Sequence, residues 1–578
     1  MLKKIGPKGI SYLTHVFNRA VNTSSIPQSW KTGKIIPLLK PKKSFEVSKS
    51  YRPISLLSPL AKVLEKIILP DLEAAMPLKD HQHGFRRSRS TVTALQETVN
   101  FIERGLNSKK PARRTVLVAI DLSKAFDTVS HEILLMKILD LNICHTLKKF
   151  LSAYLRGRQQ YTVFRGCKSK ARVVRQGVPQ GGVLSPLLFN LYLSSLPDPP
   201  ADITLFSYAD DCQALSAGPI INDVCDTLNP YLNTLFEWFK TMKLEISPEK
   251  STATLFTTWS NEVNRDLPIY INGEKVPTER HPKILGVHLD SMFNFGYHSK
   301  QMKEKVQSKN NILKCLAGST WGKDKEVLLD TYKAIGRSIF NYAAPIYTPF
   351  LSKSNWNELN AAQNSSLRIA TGCTRMSEVT HLNRETKIIP VRDHSEMLTS
   401  QYLLAMHQNS HPNHQQLSQP RPPRDKRNSI FAYKSNITHH IGTRTYISKD
   451  EYKIMNKRVH TEYVSNAISS YERNKVLHDT PAHSVPDINE EEKELPRSTR
   501  TTLAQLRSSY SPYLNTYLHR IGSRDSDLCP KCNLEPHTSN HLFNCPSNPT
   551  TLVTKDLWEK PKRVAEFLDL PTTDDSIT

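Results

Sequence analysis

An acidic pair between two apolar segments limits the local fold more than any other feature of this sequence. Residues 205–213 read LFSYADDCQ, so Asp210 and Asp211 directly follow an apolar, aromatic stretch. Because neighbouring side chains on a regular strand point to opposite faces, both carboxylates can serve one site only where the backbone turns. The sequence therefore predicts that the pair lies at the tip of a hairpin.

The pair also predicts a partner of opposite charge. Two carboxylates about 4 Å apart repel each other by roughly 1 kcal/mol even in water. Mg²⁺ prefers hard oxygen ligands, and two ions about 3.5–4 Å apart can stabilise the attacking and leaving oxygens of phosphoryl transfer. A third carboxylate is available in Asp121, which ends the buried strand predicted from TVLVAI. An acidic pair in a surface turn commonly meets only water, so the interpretation depends on context.

Composition favours a globular protein with a polyanionic partner. The chain has 578 residues, which predicts two to four domains, and 38% of them are hydrophobic. No run of eighteen apolar residues is present, so no membrane span is expected. The net charge of +24 favours nucleic acid, through phosphate contacts and counterion release. A merely basic surface, or one that meets anionic lipid, is the alternative.

The cysteines predict a reducing compartment. Nine are present, six of them isolated between Cys144 and Cys373 and three between Cys529 and Cys545, which is not a disulfide framework. The N-terminus is interrupted by Gly and Pro and lacks the apolar segment of a secretory signal. We therefore expect an intracellular protein of the nucleus, the cytoplasm or both, and not a secreted one.

The order of patterns along the chain predicts an α+β fold. Apolar spacing predicts a helix after Ser58 with Pro59 as its first residue, and a second helix over 91–106. The segments QQYTVF and ARVVRQ predict a hairpin, followed by the glycine-rich loop GVPQGG and a helix that begins near Ser185. Beyond residue 300 the pattern is mostly helical. Two stretches, 408–429 and 478–497, have too few apolar residues to form a core.

Three motifs in fixed order carry a family resemblance. AIDLSKAFDTV, RQGVPQGGVLSPLLFNLYL and FSYADD resemble the palm motifs of reverse transcriptases, and MKLEISPEKSTATLF with KILGVHLD resembles the later palm motifs. Upstream, YRPISLLSPLAKVLEKI and HQHGFRRSRST resemble the non-LTR retrotransposon branch, and within it the jockey-like elements of arthropods. The resemblance covers about residues 31–345 strongly and the C-terminal cysteine segment less so.

The resemblance implies a right-hand polymerase of fingers, palm and thumb, with a helical connector and a small zinc-binding segment. On this basis we expect the following division: an N-terminal helical remnant over 1–30, fingers and palm over 31–290, thumb and connector over 291–407, a linker with partly disordered stretches over 408–496, and a zinc-knuckle region over 497–578. Full elements of this kind carry an upstream endonuclease. The residues before 30 are too few to encode one, so we expect that this chain alone does not cut target DNA.

The family's metal-binding residues transfer to matching positions here. Asp121, Asp210 and Asp211 are implied as catalytic ligands of two Mg²⁺ ions, with the backbone carbonyl of Leu122. Phe126 resembles the bulky ring that clashes with a ribose 2′-hydroxyl, although plain core packing is an alternative. Asp127 is expected to be a turn or cap residue.

Nucleotide contacts are implied for two further regions. Gly177, Gly181 and Gly182 allow close approach of backbone to a template or nucleotide, and Gln180 is expected to contact one of them. Gly182 departs from the small hydroxyl residue of many relatives. In the segment that resembles the fingers, Arg52 and Lys34 are expected to hold the triphosphate, and Lys250 to lie near the leaving pyrophosphate; each of these cations also fits a solvated surface position.

The C-terminal segment predicts one Zn²⁺ ion. Cys529, Cys532, His541 and Cys545 form a C-x2-C-x8-H-x3-C series whose thiolate and imidazole ligands suit tetrahedral zinc, and His537 is a rival for the histidine position. The same string resembles the zinc knuckle of jockey-like elements, which implies contact with RNA or target DNA.

Together these features predict an RNA-directed DNA polymerase, a nucleotidyltransferase that copies retrotransposon RNA into cDNA. Its expected partners are an RNA template, a DNA primer or target, and dNTPs, with no membrane. An RNA-dependent RNA polymerase is disfavoured by YADD and by Phe126. A catalytically inactive, RNA-binding remnant of a retrotransposon protein is the remaining alternative.

Overall fold

The chain forms two compact units. The structure, a computed structural model, describes residues 5–41, 43–108, 112–318, 322–419, 429–442, 444–473 and 487–573. The N-terminal unit comprises Met1–Gly286 and Asp290–Phe293. The C-terminal unit comprises Val287–Leu289, Asn294–Gln419 and the described residues from 429 onward. Among the described residues, no helix combines the length and hydropathy needed to cross a membrane.

Strands and helices alternate through the N-terminal unit. Its strands are β1 Thr32–Leu39, β2 Tyr51–Leu56, β3 Arg114–Ile120, β4 Gln159–Phe164, β5 Cys167–Lys168, β6 Arg172–Val173, β7 Ile203–Tyr208, β8 Asp211–Gly218, β9 Thr252–Phe256, β10 Tyr270–Ile271, β11 Glu274–Lys275 and β12 Lys283–Ile284. Its helices are α1 Pro7–Asn22, α2 Gln28–Lys31, α3 Pro59–Ala75, α4 Thr91–Leu106, α5 Ala125–Thr128, α6 His131–Asp140, α7 His145–Leu155, α8 Ser185–Tyr192 and α9 Ile221–Thr241.

The C-terminal unit is almost entirely helical in its described part. After β13 Val287–His288 come α10 Gly296–Leu316, α11 Lys325–Tyr332, α12 Ser338–Asn341, α13 Ala344–Tyr347, α14 Lys353–Thr371, α15 Val379–Thr386, α16 Val391–Met406, α17 Ser435–Ile441, α18 Lys449–Arg473, α19 Arg497–Arg507, α20 Asn515–Arg520, α21 His541–Asn544, α22 Asp556–Glu559 and α23 Pro561–Phe567. The predicted α+β fold is therefore confirmed.

A four-stranded antiparallel sheet forms the centre of the N-terminal unit. Its strand order is β7-β8-β3-β9, so β3 lies between two neighbours and its β-branched and aliphatic side chains are buried. Apolar residues of α8 and α9 pack with the sheet in one hydrophobic core. Asp121, Asp210 and Asp211, which the sequence predicts as metal ligands, lie at the ends of strands of this sheet.

A second sheet has the order β2-β1-β4-β5, with β6 also paired to β4. β1 pairs with β2 antiparallel and with β4 parallel. The predicted hairpin begins at β4 as expected, but its return strand is interrupted: residues 171–176 supply only β6, and β5 pairs with the end of β4. The helices predicted after Ser58 and over 91–106 are confirmed as α3 and α4.

The structure differs from the predicted linker over 408–496. Residues 435–441 and 449–473 form α17 and α18, and they share a hydrophobic core with α16. The apolar residues that build this core, Ile437, Ile441, Met455 and Val459, stand four apart within a polar sequence, which is enough to give each helix a buried stripe. Residues 420–428 and 474–486 of the predicted linker lie outside the described residues.

A buried ionic network joins helices within the C-terminal unit. Arg507 of α19 is fully buried, and its guanidinium contacts the carboxylates of Glu385 on α15 and Glu492. Lys325 of α11 lies 2.9 Å from Glu385 and 3.0 Å from Glu492. The Arg507 Nε also donates to the Leu557 carbonyl at 3.0 Å. Arg507 and Lys325 thus compensate the charges of Glu385 and Glu492 away from solvent, as buried charges require.

Candidate active site

Asp210 and Asp211 lie at a tight hairpin turn between β7 and β8. The last ladder pair is Tyr208 with Asp211, so only Ala209 and Asp210 form the loop. Two-residue turns that match the twist of a hairpin need a positive φ at the first loop residue. Ala209 supplies it with φ 57°, a strained value for a residue with a Cβ. The predicted hairpin tip is present, and its backbone is strained next to the carboxylates.

The strand register places Asp121 beside the turn. Ala119 pairs with Gln213 and Ile120 with Cys212, so the next position, Asp121, comes opposite Asp211. Directly opposed residues of an antiparallel pair have Cβ atoms about 4.5–5.5 Å apart. In the C-terminal cysteine cluster all four ligand atoms lie within 4.8 Å of one another. At least one pair among the carboxylates of Asp121, Asp210 and Asp211 is farther apart than this. Repulsion between like charges favours that separation.

The electrostatics of the three aspartates favour a cation. Burial raises the pKa of Asp211 to about 6, and the carboxylates of Asp210 and Asp121 add to the shift. Burial also raises the pKa of Asp121, and Lys250 opposes this shift. A carboxylate cluster destabilised in this way gains most from a hard divalent ion that takes oxygen ligands. The residues therefore fit Mg²⁺.

Two further predicted residues lie next to Asp121. Lys250 Nζ is 4.0 Å from Asp121 Oδ2, and both side chains remain half exposed. Leu122 is buried and forms a bridge with Ile246. The Asp121 backbone is held by Ser247 and Ser251: its N–H contacts Ser251 Oγ at 3.1 Å, and its carbonyl accepts from Ser247 N–H at 3.0 Å. The segment after α9 thus fixes the position of Asp121.

Gly84, for which the sequence predicts no role of its own, supports the aspartate turn. A Cβ on Gly84 would lie 2.5 Å from Ala209 N, so only glycine fits there without displacing the turn. The Gly84 carbonyl accepts from Asn190 Nδ2 at 2.7 Å. On either side, His83 N–H donates to the Ser207 carbonyl at 2.8 Å and Ser207 N–H to the His81 carbonyl at 2.9 Å. Residues 81–84 therefore brace the end of β7.

The arginines of the loop that contains Gly84 act mainly within it. Basic residues cluster just before α4, whose N-terminal N–H groups would favour an anion. Arg86 Nη1 instead donates to the carbonyls of Lys79 and Gln82, at 2.7 and 2.9 Å. Arg89 Nη1 donates to the Asp80 carbonyl at 2.5 Å. These bonds close the loop on itself and hold Gly84 against the turn.

Phe126 belongs to an aromatic cluster beside the aspartates. Its ring stacks on Phe189 with centroids 4.4 Å apart and meets Phe85 edge to face at 6.3 Å. Phe85 also approaches Tyr208 at 6.4 Å and has φ 55°, an unusual value for a bulky residue. Phe126 is half-buried. Packing therefore fixes the ring from two sides.

The glycine-rich loop lies against β2 of the second sheet and against α5. Gln180 Nε2 donates to Asp127 Oδ1 at 3.0 Å, and the Gln180 carbonyl accepts from Ser55 N–H at 2.9 Å. Gly181 has φ 122°, and a Cβ there would lie 2.7 Å from the Ser55 carbonyl oxygen. Burial raises the pKa of Asp127, and the hydrogen bond from Gln180 opposes this shift. Gln180 thus connects the loop to α5.

A buried carboxylate that the sequence analysis missed holds the start of α8. Glu65 Oε2 accepts from the N–H groups of Val183 and Leu184, at 2.6 and 3.0 Å. A negative charge is stabilised at a helix N-terminus. The available signal was the position of Glu65 on the apolar stripe of α3, four residues after buried Ala61. This bond sets the direction in which the helix leaves the loop.

Lys34 and Arg52 lie in the other sheet. Lys34 is on β1 opposite Leu56, and Arg52 is on β2 opposite Leu38. Directly opposed residues share a face, so the two cations point to the same side of the sheet. They are about four residues apart along β1, or roughly 13 Å. Arg52 is exposed and Lys34 is half-buried.

The C-terminal cysteines converge with one histidine. Ligand atoms of Cys529, Cys532, His541 and Cys545 all lie within 4.8 Å of one another. Cys529 Sγ is 3.8 Å from Cys545 Sγ, and Cys532 Sγ is 3.4 Å from His541 Nε2. The rival His537 is outside this group; its Nδ1 accepts from Asn515 N–H at 3.2 Å.

The chemistry of this cluster fits zinc. Nearby backbone N–H groups, first that of Leu534, lower the pKa of the Cys532 thiol to about 6, which favours the thiolate that binds metal. His541 Nδ1 lies 3.0 Å from Glu535 Oε2, so Nε2 is left to face the cysteines. Histidines that bind zinc usually donate their other ring N–H to a carboxylate, which fixes the orientation of the ring.

Comparison with known families defines the class. Residues 40–289 match the family described as reverse transcriptase (RNA-dependent DNA polymerase). The matched range includes β3, the β7–β8 turn and the glycine-rich loop. The chain therefore carries a reverse transcriptase domain.

Individual relatives narrow the assignment. The chain is similar to the probable RNA-directed DNA polymerase from transposon BS of Drosophila melanogaster, with 31% identity over 69% of this chain and 45% of the relative. It is also similar to the RNA-directed DNA polymerase from mobile element jockey of Drosophila funebris, with 27% identity over 71% of this chain and 45% of the relative. Its relatives are thus the polymerases of non-LTR retrotransposons, and the chain spans about half of their length.

Similarity to solved structures is distant. Telomerase from Candida tropicalis, solved in complex with a fragment of telomeric RNA, has 11% sequence identity and a TM-score of 0.37. The alignment covers 81% of this chain and 68% of telomerase.

Proposed function

We propose that this chain is an RNA-directed DNA polymerase that copies retrotransposon RNA into cDNA by two-metal nucleotidyl transfer. The observation that carries the proposal is the strand register that brings Asp121 opposite Asp211, beside Asp210, within a domain of the reverse transcriptase family. We assign fingers and palm to residues 31–290 and thumb and connector to 291–407. The template is RNA, the primer is DNA, and the substrates are dNTPs.

Each part of the site has a role in this reaction. Asp121, Asp210, Asp211 and the Leu122 carbonyl would hold two Mg²⁺ ions, which lower the pKa of the primer 3′-hydroxyl and stabilise the leaving pyrophosphate. Lys250, 4.0 Å from Asp121, places positive charge where pyrophosphate departs. No side-chain nucleophile is needed, because the primer hydroxyl attacks.

Residues around the aspartates select and orient the nucleotide. The Phe126 ring, held between Phe189 and Phe85, is a rigid surface against which a ribose 2′-hydroxyl would clash. Gln180 and Gly181 bring the glycine-rich loop to the same region through Asp127 and Ser55. Lys34 and Arg52 supply positive charge from the second sheet for the triphosphate.

The C-terminal cluster of Cys529, Cys532, His541 and Cys545 binds one Zn²⁺ ion in this proposal. A structural zinc stabilises a small segment that has few apolar residues of its own. The region it stabilises then holds RNA or target DNA. Zinc-binding thiolates need a reducing environment, which supports an intracellular site of action in the nucleus, the cytoplasm or both.

Primer extension on an RNA template tests the polymerase proposal. With Mg²⁺ and dNTPs, the unmodified chain should extend a DNA primer, and Asp210→Asn should lower the rate by about 100-fold or more, as expected when one preorganised charge is removed. The matched control is Asp140→Asn, an exposed carboxylate at the end of α6, which should leave the rate unchanged. Equal synthesis by the Asp210→Asn variant would contradict the proposal. RNA binding without any extension by the unmodified chain would instead favour an inactive remnant.

A further inference from the structure

A second group of metal-ligating side chains lies in the C-terminal unit, outside the cysteine cluster. His439 and His440 are near the end of α17, and Glu462 is on α18. The Nε2 atoms of the two histidines are 3.0 and 2.9 Å from the same carboxylate oxygen, Glu462 Oε2. One ligand atom from each residue lies within 4.8 Å of the other two.

The helices that present these residues are fixed by their cores. Ile437 and Ile441 flank the histidines on α17 and are buried in the core shared by α16, α17 and α18. Val459 is buried three residues before Glu462. The backbone positions of all three candidate ligands are therefore set by apolar packing, independently of any contact among the ligands themselves.

Hydrogen bonds beside the cluster add to this order. Tyr463, next to Glu462, accepts from Asn436 Nδ2 of α17 at 2.8 Å. The same hydroxyl contacts Ser400 Oγ of α16 at 2.9 Å. These bonds link three helices at the level of the cluster. They hold α17 and α18 at the spacing that brings both imidazoles to one carboxylate.

The arrangement is poorly explained as an ion pair alone. The imidazole centroids are 3.9 Å apart, and two protonated rings at that distance repel by roughly 1 kcal/mol even in water. Side-chain exposure is 54% for His439 and 42% for Glu462, and an ion pair so open to solvent contributes about 0–1 kcal/mol. A divalent cation, in contrast, can be coordinated by lone pairs of both nitrogens and of the carboxylate at the same time.

We propose that His439, His440 and Glu462 bind a divalent transition-metal ion of the zinc class. Imidazole with carboxylate suits Zn²⁺ and its neighbours, whereas Mg²⁺ prefers oxygen ligands alone. Ligands about 2.1 Å from one tetrahedral ion are about 3.4 Å apart, so the separations of 3.0 and 2.9 Å between the histidine nitrogens and Glu462 Oε2 need only small side-chain rotations. His440 is largely buried, and the other two ligands face solvent, from which the ion enters and water completes its coordination.

A bound ion would join α17 to α18. The site differs from the other two metal sites in its donors, which are two nitrogens and one oxygen rather than three carboxylates or three thiolates with one imidazole. It should bind Zn²⁺ more weakly than the cysteine cluster, because it offers three ligands and greater exposure. Loss of two ligands should cost more than the ~10–100-fold in affinity that loss of an outer-shell partner costs.

Zinc stoichiometry of the full chain tests this site. Equilibrium dialysis against Zn²⁺, with millimolar Mg²⁺ present to occupy the aspartates, should give two zinc ions per unmodified chain. The double variant His440→Ala, Glu462→Gln should hold one. The matched control is His460→Ala, an exposed histidine on α18 outside the cluster, which should hold two.

Cobalt substitution identifies which ion is lost. Co²⁺ bound to thiolates gives charge-transfer absorption that an imidazole and carboxylate site lacks, so the double variant should lose one cobalt and keep this band. A Cys532→Ser, Cys545→Ser variant should lose the band and keep one cobalt at His439, His440 and Glu462. Equal metal content in the double variant and the unmodified chain would overturn the proposal. So would a single equivalent of cobalt in the unmodified chain accompanied by a full thiolate band.

Discussion

At the scale of single residues, Gly84 determines how closely the loop before α4 can approach the turn that holds Asp210 and Asp211. A Cβ at this position would lie 2.5 Å from Ala209 N. That atom belongs to the backbone, so it cannot move away as the end of a flexible side chain could. Because Ala209 already has a strained positive φ, the turn has little freedom to move. The contact makes Gly84 a positioning residue for Asp210 and Asp211.

We expect Gly84→Ala to lower the rate of primer extension by about tenfold or more, because a displacement of about 1 Å is enough to cost up to ~100-fold when reacting groups are misaligned. Overpacking should also lower the free energy of unfolding by about 1–3 kcal/mol. Steady-state extension assays should show the loss in kcat rather than in the KM for dNTP. Gly6→Ala is the control, since nothing lies within 4 Å of a Cβ there. An unchanged kcat in Gly84→Ala would remove the positioning role.

Individual residues also show where sequence reasoning stops. Asp121, Asp210 and Asp211 could be predicted as a group because each ends or begins an apolar segment. Glu65 and Gly84 could not, since their partners are 118 and 106 residues away along the chain. For Gly84, no local feature of the sequence indicates the contact. For Glu65, the available signal was the position of a charged residue on the apolar stripe of α3.

At the scale of elements, the Arg507 network is a buried electrostatic connection between α19 and the helices before it. It joins α11, α15 and α19 through charges that are almost completely removed from solvent. Removal of one partner from such a network leaves the others buried and uncompensated, which costs far more than loss of an exposed pair.

Arg507→Met should therefore lower the free energy of unfolding by about 3–5 kcal/mol. The expected result is a large drop in the melting temperature measured by circular dichroism. Lys333→Met removes one partner of the exposed Lys333–Asp330 pair and should change stability by less than about 1 kcal/mol. Similar melting temperatures for the two variants would show that the network contributes no more than a surface pair.

Elements were predicted best where local pattern and tertiary packing agree. The helix over 91–106 has a Ser90 capping box and an apolar face, and its bounds match the prediction. The return strand of the β4 hairpin was predicted too long, because its pairing with β4 is divided between β5 and β6. Helices α17 and α18 were not predicted, because their few apolar residues form a core only with α16.

At the scale of the whole molecule, buried histidines link stability to pH. Burial, with the neighbouring His288 and Lys305, lowers the pKa of His298 to about 3. In an unfolded chain a histidine has a pKa of about 6.5, so between these values only the unfolded state binds the proton. The contribution of His298 to the free energy of unfolding is therefore fully present above about pH 6.5, and it is lost progressively as the pH drops toward 3.

We expect the apparent melting temperature to fall as the pH is lowered from 7 to 5, with His298 contributing about 1.4 kcal/mol per pH unit below about 6.5. His298→Gln keeps an acceptor for the His288 N–H, 3.4 Å from His298 Nδ1, but cannot take up the proton. The slope of melting temperature against pH should therefore be smaller in this variant. An identical slope in both proteins would exclude a contribution from His298.

The proposed polymerase activity depends on one site built from two separate parts of the sheet. The net charge of the chain, +24, suits a nucleic-acid partner, and residues 40–289 match the reverse transcriptase family. The proposed chemistry also requires that Asp121 and the 210–211 turn bind the same ions. Mn²⁺ can replace Mg²⁺ at oxygen ligands, and its free form is counted by electron paramagnetic resonance. The ions bound in the presence of primer, template and dNTP can therefore be measured directly.

Mn²⁺ binding by the unmodified chain, Asp121→Asn and Asp211→Asn is the most direct measurement. If the three carboxylates form one site, either substitution should remove the same tightly bound Mn²⁺ and should abolish primer extension in parallel. Retention of full Mn²⁺ binding by Asp121→Asn, with loss only in Asp211→Asn, would contradict a shared site.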